Sequence, residues 1–307
     1  MVSNIQNLRF TNSVEIPQNK VHPQLRPKNS ETQQDSFEKS GLSKNQKRGL
    51  IAAGLATIIL IGSVIINKHN RAKRIKQIPE ELRAIFNDLK GEKGENFINK
   101  AYDKLKNYMK LDEIAPDKIE HLGADKGCFA LQGGYNPTLN TIGYTDGFFT
   151  KIDKATQFSL IAHELKHADQ TAKIIRAGLL PEYAKAWAEQ SIRNVRNNPL
   201  EINFNLAYKE AVRQGKGKEF LEETLKNSTE TIMTKMKESH KNTLNLPRYK
   251  KDSQEYKDAE KYIEATRSYT NLDCFGLGSK DYYNNPLEKE AYDFGDKMEQ
   301  YFKDFFG

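Results

Sequence analysis

His163-Glu164-Leu165-Lys166-His167 sets two imidazoles four residues apart, with a carboxylate directly after the first. On an α-helix this spacing stacks both rings on one face, where they can grip one Zn²⁺ while the glutamate reaches a water at the metal. The flanks predict that helix. Asp153 or Thr156 can cap its start, and Phe158, Ile161, Ala162 and Leu165 recur at i, i+3, i+4 and i+7 as an apolar stripe. No Pro or Gly interrupts residues 154–177. An exposed charged helix could carry the same letters by accident. The apolar run Leu160-Ile161-Ala162 immediately before His163 favours a buried helix, and Leu160 shares the histidine face.

A catalytic zinc takes three protein ligands and keeps a position open, so the two histidines need a partner from elsewhere. The extended H-E-x-x-H-x-x-G-x-x-H pattern is absent, because Gln170 and Lys173 stand where it requires Gly and the third His. Read from the residues, the candidates for the third position are Glu288, Glu290, Glu201, His240 and His121.

The chain resembles the glutamate-ligated zincins, the gluzincin group of zinc metallopeptidases, in His163-Glu164-x-x-His167 and in Glu288-Lys289-Glu290-Ala291, a late glutamate with a small residue three positions on. The likeness covers the motif helix, the segment before it and the helix opening at Pro286. It implies His163, His167 and Glu288 as metal ligands, with Glu290 the alternative, and Zn²⁺ as cofactor. It further implies hydrolysis of a peptide or protein substrate through a zinc-activated water, with Glu164 taking the water's proton and handing it to the leaving amine. The substrate would lie along an edge strand, for which Gly133, Gly134 and Tyr135 are rim candidates. The sequence departs at Tyr292, where several such families carry Asp or Asn to orient a ligating histidine. Asp293, Glu290 or a backbone carbonyl would have to serve instead. The competing reading is a membrane-tethered helical scaffold, or a zincin fold that no longer cleaves.

The elements around these residues predict an α+β fold, mostly helical, with a small antiparallel sheet, preceded by one transmembrane helix; the resemblance implies that the domain after the span is zincin-like. Residues 79–89 and 95–111 read as amphipathic helices. Residues 127–149, rich in Gly, Asn and Pro between the short apolar segments 129–131 and 141–144, read as a β-hairpin. Downstream, Pro181 and Pro199 each open a helix, and charged helices cover 216–240 and 252–267. Pro-Leu-Glu follows paired asparagines twice, at Pro199 and at Pro286, each time as a helix start with an acid near its positive end.

Composition divides the chain of 307 residues sharply. Residues 1–48 are polar and aperiodic and read as a disordered tail. Residues 49–67 carry no charge, long enough for a single membrane span, and a secretory signal would not stand behind so long a polar tail. Residues 68–78 read as a basic juxtamembrane segment, and the resemblance makes 79–307 the expected zincin-like metallopeptidase domain. Thirteen Lys and Arg against four acids fall in residues 1–78, leaving thirty-five bases against thirty-seven acids beyond. The basic balance therefore suits anionic lipid headgroups and no nucleic acid. Lys39, Lys44, Lys47 and Arg48 flank the span on one side and Lys68, Arg71, Lys73, Arg74 and Lys76 on the other, which sets no side for the domain. Cys128 and Cys274 are the two cysteines, enough for one disulfide but without the spacing of a thiolate zinc site.

Overall fold

The computed structural model describes residues 70–123, 133–150, 152–197, 202–269 and 280–307, which fall into two units divided after Gln77. In the first, residues 70–77 are helical. Among the described residues no helix is long and apolar enough to cross a membrane. The expected tail, the 49–67 span, Glu201, Cys128 and Cys274 all lie outside the described residues.

The second unit begins with α1 (Glu80–Leu89) and α2 (Gly94–Tyr108), joined through Gly91 at φ 89°. Leu82, Ile85, Phe86 and Leu89 bury one face of α1, and Phe97, Ile98, Ala101, Tyr102 and Leu105 one face of α2. The helix read to residue 111 stops at Tyr108. Lys110 adopts a left-handed φ of 58°, and the Leu111 N–H returns to the Lys106 carbonyl.

Three strands follow: β1 (Ile119–His121), β2 (Gly133–Asn136) and β3 (Thr141–Tyr144), in the order β1-β3-β2. β2 and β3 form an antiparallel hairpin, with Gly134 opposite Gly143, while β1 runs parallel to β3, with Glu120 opposite Gly143. The sheet is mixed, which corrects the antiparallel expectation. The strand that pairs with 141–144 is 133–136, whereas 129–131 lies outside the described residues. The hairpin turns there because the Asn136 side chain accepts from the Thr138 and Leu139 N–H groups and Asn140 takes a left-handed φ of 49°.

A short α3 (Asp146–Thr150) leads into the motif helix α4 (Lys154–Arg176), capped by Asp153, whose carboxylate accepts from the Thr156 N–H at 2.8 Å. α4 is buried on several sides because α2, α9, α11 and the sheet surround it. The chain continues through α5 (Leu180–Asn197), α6 (Ile202–Arg213), α7 (Gly217–Ser239), α8 (Lys241–Asn245), α9 (Gln254–Arg267), α10 (Lys280–Asn284) and α11 (Pro286–Phe306). α7 packs on α5 and α6 yet buries only Met236, as its Lys- and Glu-rich sequence leads one to expect.

α11 is the main partner of α4. Its buried residues Glu288, Ala291, Gly295, Met298 and Phe302 form one stripe at helical spacing. At its far end Phe302 meets Phe86 and Phe158 with ring centroids 5.4 Å away from each, edge-on to the first. That aromatic cluster fixes how α11 lies along α4, and so where the start of α11 arrives.

Candidate metal centre

α4 supplies His163 and His167 one turn apart, and their Nε2 atoms face each other at 3.0 Å. The first turn of α11 supplies Glu288. Asn285 caps that turn by accepting from the Leu287 N–H, and its own amide donates to the Ala265 carbonyl at 2.8 Å, which pins the start of α11 to α9. Glu288 Oε2 stands 3.5 Å from His163 Nε2, and Oε1 stands 3.4 Å from His167 Nε2. One ligand atom from each residue lies within 4.8 Å of the others.

These separations suit a tetrahedral ion. Ligand atoms about 2.0–2.1 Å from a zinc stand roughly 3.3–3.4 Å from one another. Glu288 is 1 % exposed, and its Oε2 has no hydrogen-bond partner among the described residues, a costly state for a buried carboxylate that a cation would relieve. The donor set of two imidazoles and one carboxylate is also the type that Zn²⁺ accepts.

Charge within the group is strongly correlated. Burial alone would push the Glu288 carboxyl up, but the His163 and His167 imidazoles beside it hold it well below the usual carboxylate range. Burial would lower His167, and the Glu288 carboxylate overrides it, pushing the imidazole up to about 9. Tyr269 donates to Glu288 Oε1 at 2.6 Å, and burial together with that carboxylate keeps its phenol protonated far above the ordinary range. Tyr292 lies against His163, ring centroids 4.5 Å apart, with its phenol pushed up to about 12 by burial and by Glu288.

Glu164 shares a cavity of about 260 Å³ with both histidines, Glu288 and the three tyrosines Tyr269, Tyr282 and Tyr292. Its Oε2 accepts from the Tyr135 backbone N–H at 2.7 Å, so β2 lies directly over the motif helix. Gly133 and Gly134 line the same cavity, and among the described residues β2 is an edge strand.

The remaining sequence candidates sit elsewhere. Glu290 is not at the cluster: it accepts from Tyr262 at 2.5 Å and from Gln170 at 3.0 Å, and pairs with Lys166 at 3.0 Å. His121 pairs with Asp146 at 2.7 Å, and the buried His240 hydrogen-bonds the Pro137 carbonyl at 2.8 Å. Asp293 is exposed. The residue that hydrogen-bonds a histidine of the cluster through its other nitrogen is Gln170, whose Oε1 stands 2.9 Å from His167 Nδ1. Sequence reasoning missed that role. The available signal was a polar side chain one turn beyond His167 on the same helix face.

Against known protein families, curated proteins and solved structures, the chain matches none. The chemistry of the cavity has to be read from its own side chains.

Proposed function

We propose that the chain is a membrane-anchored zinc metallopeptidase of the gluzincin type, hydrolysing peptide bonds in a peptide or protein substrate. The observation that carries this reading is the convergence of His163 Nε2, His167 Nε2 and a Glu288 carboxylate oxygen in the cavity that also holds Glu164. His163, His167 and Glu288 would hold the ion, and bound there it would supply Lewis acidity toward a carbonyl and toward water.

Glu164 acts as the base. It takes a proton from the attacking water and passes it to the amine nitrogen as the peptide bond breaks, without a covalent intermediate. The Tyr135 N–H holds one oxygen of Glu164 in place beneath the strand. β2 supports a peptide substrate over a small molecule. The Tyr135 N–H points away from β3, so by the alternation of an antiparallel pair the backbone groups of Gly133 face the same edge, where an extended chain can add as a strand. The membrane anchor in this reading is the uncharged run 49–67.

The test is zinc stoichiometry and cleavage of an unstructured peptide library by the full chain and by Glu164→Gln. Wild type should bind one zinc and cleave, and the variant should bind one zinc and not cleave. A wild-type chain that takes up no zinc, or a variant that cleaves equally well, would sink the proposal. Retention of the full chain in membranes through an alkaline carbonate wash, lost on deleting residues 49–67, tests the anchor.

A further inference from the structure

We infer that Gln170 is the positioning residue of His167, locked in one orientation by Glu290 on the facing helix, so that His167 presents the lone pair of Nε2 to the metal. The inference rests on the metal-centre reading above and assigns the outer layer that the sequence lacks at Tyr292.

An amide has a donor end and an acceptor end, and its surroundings decide which is which. One end of Gln170 meets two acceptors on α11, the Leu287 carbonyl at 3.1 Å and Glu290 Oε2 at 3.0 Å. Neither donates: a backbone carbonyl has no hydrogen, and the Glu290 carboxylate already accepts from the Tyr262 hydroxyl at one oxygen and pairs with Lys166 at 3.0 Å through the other. That end is therefore the NH₂. The carbonyl end then faces His167 Nδ1 at 2.9 Å and accepts from it. With its hydrogen on Nδ1, the neutral ring carries its lone pair on Nε2, the nitrogen that meets His163 and Glu288.

Gln170 is 1 % exposed, so no water competes for either end. Glu290 is anchored in turn by the Tyr262 hydroxyl at 2.5 Å and by Lys166 at 3.0 Å, which also pairs with Asp169 at 2.9 Å. The two acids of Glu288-Lys289-Glu290 thus divide the work. Glu288 faces the ligand atoms, and Glu290 fixes the residue that turns a ligand toward them. His163 has no such support, since its Nδ1 lacks a partner among the described residues and its ring rests on Tyr292.

The experiment uses the full chain labelled with ¹⁵N in its histidines. In the metal-free protein at pH 10, long-range ¹H–¹⁵N correlations should show His167 of wild type with its hydrogen on Nδ1, and Gln170→Leu should move the population toward the Nε2–H form. Zinc affinity, read by chelator competition, should weaken roughly 10- to 100-fold in Gln170→Leu. Glu290→Leu, which leaves Gln170 one of its two acceptors, should weaken it less. The exchanged pair Gln170→Glu with Glu290→Gln keeps an acceptor on His167 and reverses the Gln170–Glu290 bond while setting a carboxylate oxygen against the Leu287 carbonyl, so it should restore the Nδ1–H form and part of the affinity. Loss of affinity in the exchanged pair equal to that in Gln170→Leu, or an Nε2–H ring in wild type, overturns the inference. If wild type shows the Nδ1–H form yet binds no zinc, the metallopeptidase reading fails while the orienting role stands. If wild type and Gln170→Leu bind zinc equally, the orienting role fails alone.

Discussion

Gly295 lies so close to Ser159 that a β-carbon on it would stand 3.1 Å from both the Ser159 carbonyl oxygen and Oγ, and 3.5 Å from His163 Cβ. The missing side chain lets α11 approach α4 where the first histidine sits. Glu288 is two turns earlier on the same stripe, so its reach to the imidazoles depends on that approach.

Gly295→Val should therefore part the two helices at the site. The expected result is a folded chain that is less stable by about 1–3 kcal/mol, as overpacking costs. Its zinc affinity should fall even though no ligand is changed. Urea unfolding and chelator competition measure the two effects. Unchanged zinc affinity in a destabilised chain would show that Glu288 is placed independently of the crossing.

Glu288 and Glu290 differ by two residues and by role, and substitution separates them. Glu288→Gln removes a ligand charge and should abolish zinc binding, a loss beyond the roughly 10- to 100-fold expected when an outer partner goes. Glu290→Gln keeps the ligands and should retain one zinc per chain. Metal analysis of the dialysed variants decides it, and equal losses in both would contradict the division.

The motif helix was legible in the sequence because every device that makes it is local: Asp153 as cap, apolar residues at helical spacing, and no breaker before Gly178. The start of α11 was legible for the same reason, through Asn285 and Pro286. What could not be read depends on contacts across the chain. β1 is three residues, Ile-Glu-His, without periodicity, and exists because β3 offers it a parallel partner. Gln170 reads as a surface residue until α11, well over a hundred positions later, covers it with Glu290 and the Leu287 carbonyl. Glu288 and Glu290 were separable only by which of them falls on the stripe facing α4.

The stability of the metal-free chain should depend on pH with signs that identify the groups. His167 is raised from 6.5 to about 9, so its contribution is complete below pH 6.5 and is lost as pH rises through 9. Glu290 is lowered from 4.5 to about 2, so its contribution is present above 4.5 and is lost as pH falls toward 2. Urea midpoints in chelator should thus fall on the alkaline side between pH 6.5 and 9. Saturating zinc should remove that alkaline slope, because the ion replaces the proton on His167. His167→Ala should flatten it without metal. An alkaline slope that survives His167→Ala belongs to another group.

His240 and Ser239 hold the tip of the hairpin from the end of α7. The His240 ring bonds the Pro137 carbonyl at 2.8 Å, and the Ser239 hydroxyl donates to the Thr138 carbonyl at 2.9 Å. Pro137 is two residues beyond Tyr135, whose N–H holds Glu164, so the clamp fixes the strand that fixes the base. His240→Ala leaves the buried Pro137 carbonyl without that donor and should cost about 1–3 kcal/mol. The loss should be local as well as global: the Tyr135 amide should exchange with deuterium faster, while zinc binding, which uses α4 and α11, stays intact. The pH sign is opposite to that of His167. Burial lowers His240 below 6.5 against the pull of the Pro137 carbonyl, so the unfolded chain takes up the proton first and the clamp weakens as pH falls below 6.5. A lower protection factor at Tyr135 in mildly acidic buffer, taken relative to the intrinsic exchange rate at the same pH and absent from His240→Ala, is the expected signature. Protection at Tyr135 that ignores both the substitution and the pH would show that β2 is held by Glu164 and β3 alone.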